Sequence, residues 1–194
     1  MLLSEFMPRY QFREFHQIPV DSDPEVIFQT LPDMDLRRSF PIRALFRLRE
    51  LPGKIIKPHN QAPDFGYTLR DMIRLGFIPL AEDPPHEICL GLVGRFWRPV
   101  PDIIQIPGHE FKDFDDPGYA KVVMNFHIPS LEPGKCRLTT ETRIWCPNAK
   151  TQARFRPYWT IIRPFSGLIR REMLKIAKQT AEAANSMKGI RRCS

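Results

Sequence analysis

Apolar and polar side chains alternate most regularly along Tyr119-Ala120-Lys121-Val122-Val123-Met124-Asn125-Phe126-His127-Ile128. A period of two predicts a β-strand. One side of it carries Ala120, Val122, Met124, Phe126 and Ile128, and the other carries Lys121, Asn125 and His127. Turn residues recur around it, at 83–85, 98–99, 115–118 and 132–134. We therefore predict an antiparallel meander from Phe77 to Cys146 with one face buried.

The residues before the meander predict one strand and three helices. Residues 10–20 are rich in aromatic and β-compatible side chains and form the strand, and residues 23–25 (Asp-Pro-Glu) start a short helix that Pro32 ends. Apolar residues at helical spacing predict a second helix over 40–51, followed by a loop over 54–66 that is placed to cover an opening. A third helix follows Thr68, which stands three residues before Asp71 as in a capping box, and Gly76 suits its left-handed C-terminal cap.

Helical spacing returns after the meander. We predict one helix over 152–162 and a second, amphipathic helix from Ser166 to about Met187, separated or kinked by Arg163-Pro164-Phe165. The amphipathic helix is expected to pack on the sheet, and residues 188–194 form a basic tail. The length of 194 residues fits a single domain over 1–194 with its core over 10–187.

Charge and cysteine content narrow the function classes. The formal net charge is +7, but the basic residues are scattered in ones and twos. This pattern favours solubility, allows a weak association with anionic membrane and does not favour specific nucleic-acid binding. The four cysteines have no C-x-x-C spacing and predict no disulfide framework. No leader peptide and no apolar run of about 20 residues is visible, so we expect a soluble, cytoplasmic protein.

The motifs that define common chemistries are missing from the sequence. It has no H-E-x-x-H, no G-x-S-x-G, no Walker loop and no dinucleotide fingerprint. His86 and Cys89 are spaced as H-x-x-C, but no second pair completes a zinc site, and the acids at 113–116 border a turn. We predict no metal, no cofactor and no identifiable catalytic motif.

Arg170 is the most informative anomaly. On a helical wheel it falls among Met173 and other apolar residues of the sheet-facing side, so its charge needs a partner or a route to water. The strand 136–146 offers Glu141 as that partner. Alternation leaves two orientations of this strand open. We favour the one that points Glu141, Arg143 and Trp145 inward over the one that points Thr140 and Thr142 inward.

Three stretches resemble an uncharacterised branch of the SRPBCC superfamily, which includes START lipid-transfer domains and polyketide cyclases. They are residues 91–97 (Gly-Leu-Val-Gly-Arg-Phe-Trp), 140–144 (Thr-Glu-Thr-Arg-Ile) and 155–171, which contains Tyr158-Trp159 and Ser166-Gly167. The resemblance implies an α+β helix-grip fold, in which a curved antiparallel sheet wraps around a long C-terminal helix. It also implies an internal cavity for an apolar or amphipathic molecule.

These observations give one leading hypothesis and two alternatives. The leading one is binding of a hydrophobic or amphipathic small molecule, lipid-like or aromatic, by eight residues: Trp97, Met124, Phe126, Glu141, Arg143, Tyr158, Arg170 and Met173. An arginine of this set would meet an anionic head group. The first alternative is a cyclase or hydrolase in which Glu141 acts as general acid or base. The second is a basic module for anionic membrane or nucleic acid.

Overall fold

A computed structural model describes residues 1–43, 68–74 and 76–192. Four helices are labelled here: α1 (Leu2–Phe6), α2 (Pro24–Thr30), α3 (Leu69–Arg74) and α4 (Ala149–Arg192). The strands are β1 (Phe12–Val20), β2 (Ile78–Asp83), β3 (Glu87–Arg95), β4 (Asp102–Ile104), β5 (Ala120–His127), β6 (Ser130–Glu132) and β7 (Lys135–Trp145). Short 3-10 turns cover Leu31–Asp33, Leu36–Arg38 and Gly108–Glu110.

The strands of the described residues form one seven-stranded antiparallel sheet. Its main order is β1-β7-β5-β3-β2, with β4 paired to β3 and β6 paired to β7. The first strand therefore lies beside the last, with Phe12 opposite Ile144 and Val20 opposite Cys136. The long helix α4 packs on β1, on β7 and on α2. The predicted α+β class, an antiparallel sheet with a long C-terminal helix, is confirmed and is consistent with a helix-grip fold.

Several local predictions are also confirmed. Helix α2 begins at Pro24 after Asp23, although the Asp23 side chain makes no capping hydrogen bond. Thr68 and Asp71 form the predicted capping box, in which the Asp71 amide donates to Thr68 Oγ1 at 3.2 Å and the Thr68 amide donates to Asp71 Oδ2 at 3.1 Å. Gly76 has a φ of 103°, as the left-handed cap requires. The helix predicted over 40–51 is described only at 40–43, and the loop over 54–66 lies outside the described residues.

The predicted separation of two helices at Arg163-Pro164-Phe165 is wrong, because α4 is one helix of 44 residues that contains Pro157 and Pro164. Both prolines are exposed and lie seven residues apart, which places them on one solvent-facing line of the helix. The carbonyl groups four residues before them lose an amide partner, and on this side water can replace it. The helix tolerates both prolines because they lie on its solvent-facing side.

The prediction that only one face of β5 is buried is also wrong. Met124 and Phe126 are buried on the side of α4, as expected, but Lys121 and Asn125 on the other side are buried as well. A second apolar cluster covers that outer face, formed mainly by α1, by Phe111 and by the strand residues beneath them. The sequence analysis did not predict α1, because five residues are too few for a helical period to show.

Candidate functional site

The face of the sheet that meets α4 carries two separate apolar clusters. The aromatic cluster surrounds Phe155 of α4, whose ring lies 5.1 Å from that of Phe12, 5.5 Å from that of Tyr158 and 6.3 Å from that of Trp97, between centroids. The aliphatic cluster lies further along the helix and contains Met124, Phe126, Leu138, Met173, Leu174 and Ala177. The two clusters contact α4 at different places, and a gap in the apolar packing separates them.

Five polar residues fill that gap, and we call them the polar cluster: Glu14, His16, Thr140, Thr142 and Arg170. The strand register places Glu14 opposite Thr142 and His16 opposite Thr140. On β1 these two residues lie between Phe12 of the aromatic cluster and Ile18, which packs on the aliphatic cluster. Arg170 reaches them from α4.

A glycine on α4 brings the helix close to this part of the sheet. A Cβ atom at Gly167 would overlap Glu14 Oε1 and would lie 3.3 Å from His16 Nε2. Any side chain at this position would displace the carboxylate. The close approach of the helix to the sheet therefore depends on Gly167. This close approach covers the polar cluster.

Four side-chain atoms of the polar cluster have no hydrogen-bond partner. His16 Nε2 lies 3.0 Å from Glu14 Oε1, so these two atoms are paired. Glu14 Oε2, Thr140 Oγ1, Thr142 Oγ1 and Arg170 Nε are buried with no hydrogen-bond partner. Across the described residues six buried side-chain atoms have this status, and four of them are here. Unpaired buried polar atoms destabilise a fold, so their concentration at one place makes the polar cluster the candidate site.

Arg170 is charged without a carboxylate in direct contact. Its Nη1 touches Met124 Sδ and lies 3.7 Å from Met173 Sδ, and sulfur is a weak acceptor. Burial lowers the pKa of Arg170 to about 10, although the Glu14 carboxylate raises it in part. The guanidinium is therefore held where an additional acceptor would stabilise it.

Glu141 is not the partner of Arg170, and the inward orientation that we favoured for this strand is wrong. Thr140 and Thr142 face α4, so Glu141, Arg143 and Trp145 lie on the outer face of the sheet. Glu141 Oε1 accepts from Arg13 Nε at 2.8 Å and from Arg143 Nε at 2.7 Å, and Oε2 accepts from Arg13 Nη2 at 2.9 Å. Burial raises the pKa of Glu141, but the hydrogen bonds from the two arginines outweigh it and leave the pKa lowered.

The outer-face charges hold α1 against the sheet. Arg143 Nη1 donates to the Met7 carbonyl at 3.0 Å, and the Leu2 amide donates to Glu87 Oε2 at 2.7 Å. Asn125 links the two ends, because its Nδ2 donates to Glu87 Oε1 at 2.6 Å and its Oδ1 accepts from the Glu141 amide at 2.9 Å. Each of these groups has protein partners, as expected of a structural network.

The eight predicted ligand residues therefore divide between the two faces. Glu141 and Arg143 lie on the outer face, and the other six lie on the side of α4: Trp97, Met124, Phe126, Tyr158, Arg170 and Met173. Sequence reasoning did not single out Glu14, His16, Thr140 and Thr142 as site residues. A signal was present in β1, because Glu14 and His16 alternate in phase with Phe12, Ile18 and Val20 and so share their face.

Three other features of the described residues concern ligand, metal and membrane sites. A depression of about 350 Å³ opens on the outer face beside α1 and is lined by Phe6, Leu80, Gly108, His109 and Lys112. The described residues contain no group of three or more His, Cys, Asp or Glu side chains that could hold a metal ion. No helix among them is both long and apolar enough to cross a bilayer.

The fold and the site together define an α+β protein, consistent with a helix-grip architecture, that has a polar cluster between its sheet and its C-terminal helix. Among solved structures, the chain is similar to CalU16 from Micromonospora echinospora, with 13% identity, a TM-score of 0.29, and coverage of 88% of this chain and 84% of that one. It is also similar to TTHA0849 from Thermus thermophilus, with 7% identity, a TM-score of 0.33, and coverage of 89% of this chain and 99% of that one. No protein-family model and no curated protein sequence matches the chain.

Proposed function

We propose that this chain is a member of the SRPBCC superfamily that binds a hydrophobic or amphipathic small molecule between its sheet and α4. The observation that carries the proposal is the set of four unpaired polar atoms on β1, β7 and α4, which are enclosed between two apolar clusters. A ligand with an apolar body and one polar group would supply the missing hydrogen bonds and bury its own apolar surface.

The polar cluster favours a neutral polar group over an anionic one. Arg170 Nε is a donor and needs an acceptor, whereas Glu14 Oε2 is an acceptor and needs a donor. A hydroxyl group, or a carbonyl group beside a hydroxyl group, can serve both. A carboxylate would gain from Arg170 but would be repelled by Glu14. This differs from the anionic head group that the sequence predicts for Arg143 or Arg170, because Arg143 is committed to Glu141 and to α1 and Arg170 lies beside Glu14.

Native mass spectrometry of the purified full chain, followed by extraction and identification of any copurifying molecule, tests the proposal. Thr142→Val removes an unpaired hydroxyl from the site at nearly constant shape, and we expect it to lower ligand occupancy several-fold. Thr139→Val is the matched control. It makes the same change on the same strand but on the outer face, where Thr139 Oγ1 donates to the His127 carbonyl at 3.2 Å.

Three results would contradict the proposal. The first is a wild-type chain that carries no molecule and binds none from a panel of neutral aromatic and lipid-like hydroxy compounds. The second is a pair of threonine variants that lose ligand to the same extent. The third is a bound molecule whose affinity is unchanged in Arg170→Met.

One observation supports a second candidate function, acid–base catalysis in the same place. An imidazole held by a carboxylate is an arrangement used for general base catalysis, and His16 Nε2 lies 3.0 Å from Glu14 Oε1. This candidate replaces Glu141, whose oxygens are occupied by two arginines, as the acid–base group of the cyclase or hydrolase alternative. Turnover of an identified ligand that disappears in His16→Gln while binding persists would support it. Binding without turnover would reject it.

A further inference from the structure

The first half of α4 is positively charged throughout. Residues 150–171 contain six cations and no acid: Lys150, Arg154, Arg156, Arg163, Arg170 and Arg171. All except Arg170 are exposed, and within the described part of the chain these five form no ion pair. The next part of the helix differs, because Lys175 pairs with Glu172 and Lys178 pairs with Glu182.

An exposed apolar line runs through the same part of the helix. It consists of Pro157, Ile161, Pro164 and Phe165, which recur at intervals of three to four residues and so lie on one side. Ile161 is 68% exposed and Phe165 is 41% exposed. A single exposed apolar residue needs no explanation, but a continuous line flanked by unpaired arginines does.

We propose that this surface, the exposed side of α4 over residues 150–171, docks the protein on an anionic lipid surface. A helix that presents cations and apolar side chains together lies in the interface of a bilayer, with the cations at the head groups and the apolar residues in the acyl boundary. The net charge of +7 draws the chain toward such a surface. Nucleic acid would use the arginines but would leave Ile161 and Phe165 without a favourable contact, so the apolar line decides for lipid.

Docking by this surface is independent of ligand binding, since the polar cluster lies on the opposite, sheet-facing side of the helix. The ligand experiments and the membrane experiment can therefore fail separately. The two functions share only α4.

Vesicle flotation of the full chain tests the proposal, with vesicles of phosphatidylcholine alone and of phosphatidylcholine mixed with phosphatidylserine. We expect binding only to the mixed vesicles, with a steep loss at high salt. The double variant Arg154→Gln/Arg163→Gln should lose about 25-fold in partitioning, from about fivefold per arginine at an anionic surface. Arg9→Gln/Arg137→Gln is the matched control, since it removes the same charge at two exposed positions outside α4.

The apolar line has its own test. Ile161→Asp should reduce partitioning at least tenfold, through the lost apolar contact and the added negative charge. Leu131→Asp on β6, where Leu131 is 52% exposed, should reduce it by no more than the charge change alone, about fivefold. Binding to both vesicle types alike, equal losses in the two arginine pairs, or equal losses in the two aspartate variants would overturn the proposal. Tighter binding to duplex DNA than to the mixed vesicles would also overturn the proposal, if Ile161→Asp weakened the DNA binding by no more than its charge change explains.

Discussion

Replacing Arg170 with methionine should stabilise the fold. The guanidinium is buried at Nε without a hydrogen-bond partner and otherwise contacts two methionine sulfur atoms. Its pKa lies at about 10, well below its ordinary value, because burial disfavours the charged form. Such a lowering corresponds to at most about 3 kcal/mol at neutral pH. Methionine has a similar length, carries no charge and suits a site already lined by Met124 and Met173.

The expected gain is smaller than that upper bound, because part of the Arg170 side chain remains in contact with solvent. We expect Arg170→Met to raise the free energy of unfolding by about 1–2 kcal/mol, comparable to other replacements of buried charges by apolar residues. For a chain of this size this is a rise in Tm of about 2–8 °C. Chemical denaturation at neutral pH, supported by calorimetry, measures it.

The pH dependence gives a second readout. Because the folded-state pKa of Arg170 is lowered, the charge destabilises the folded state at every pH below about 10, and that cost declines as the pH rises from there toward the pKa in the unfolded chain. The advantage of Arg170→Met should therefore be constant below about pH 10 and shrink above it.

A Glu14→Gln chain provides a second background in which Arg170→Met can be measured. The Glu14 carboxylate offsets part of the cost of Arg170, so Arg170→Met should gain about 1 kcal/mol more in a Glu14→Gln chain than in the wild type. A loss of stability on Arg170→Met in both backgrounds would refute the reasoning, since it would show that the arginine has a structural partner. Equal gains in both backgrounds would refute the coupling to Glu14.

Three further predictions concern the two faces of the sheet and are tested by urea denaturation. Thr142→Val should raise the free energy of unfolding by about 1 kcal/mol because its hydroxyl is unpaired, whereas Thr139→Val should lower it by about the same amount; the same sign for both would contradict the assignment of faces. Gly167→Ala should lower the free energy of unfolding by about 1–3 kcal/mol, despite the better helix propensity of alanine. Glu14→Ala in the same chain should recover part of the loss. A stabilising Gly167→Ala would show that the close approach of the helix is not required. Glu141→Gln should lower the free energy of unfolding by about 3 kcal/mol at neutral pH. Because the pKa of Glu141 is lowered in the folded state, the wild-type advantage should begin to decline as the pH falls through the ordinary glutamate pKa, about 4.3, and should be lost once the pH is below the folded-state pKa. An advantage that stays constant into acid would contradict this.

The fold class and many element boundaries could be predicted because they depend on local patterns. The alternation in Tyr119–Ile128 produces β5, and the capping box at Thr68 starts α3. The two prolines of α4 were misjudged because their cost depends on which side of the helix meets solvent. Packing on the whole sheet decides which side of α4 faces solvent, and the sequence around the prolines does not show it. The single buried face of β5 was misjudged for a related reason, since α1 arrives from the other end of the chain.

The site was harder to predict than the fold because a period of two leaves a choice of face. Along β7 both sets of residues contain polar side chains, so alternation alone could not decide between Thr140 with Thr142 and Glu141 with Arg143. The pairing with β1 decides it. Phe12, Ile18 and Val20 are apolar and in phase with Thr140 and Thr142 across the ladder, which turns those threonines toward α4. This long-range register is not visible in the β7 sequence itself.

The two faces of the sheet differ in whether their buried polar groups have hydrogen-bond partners. On the outer face Glu141 receives three hydrogen bonds, and its neighbours extend the network to α1, so adding a ligand there would first require breaking protein contacts. On the inner face the partners of Glu14, Thr142 and Arg170 are incomplete although the same strands could have carried valine or leucine. Apolar residues in those positions would give a more stable protein. Residues that lower stability where a better-packed alternative exists are expected where a protein does its work, and this supports the proposed ligand site on the inner face.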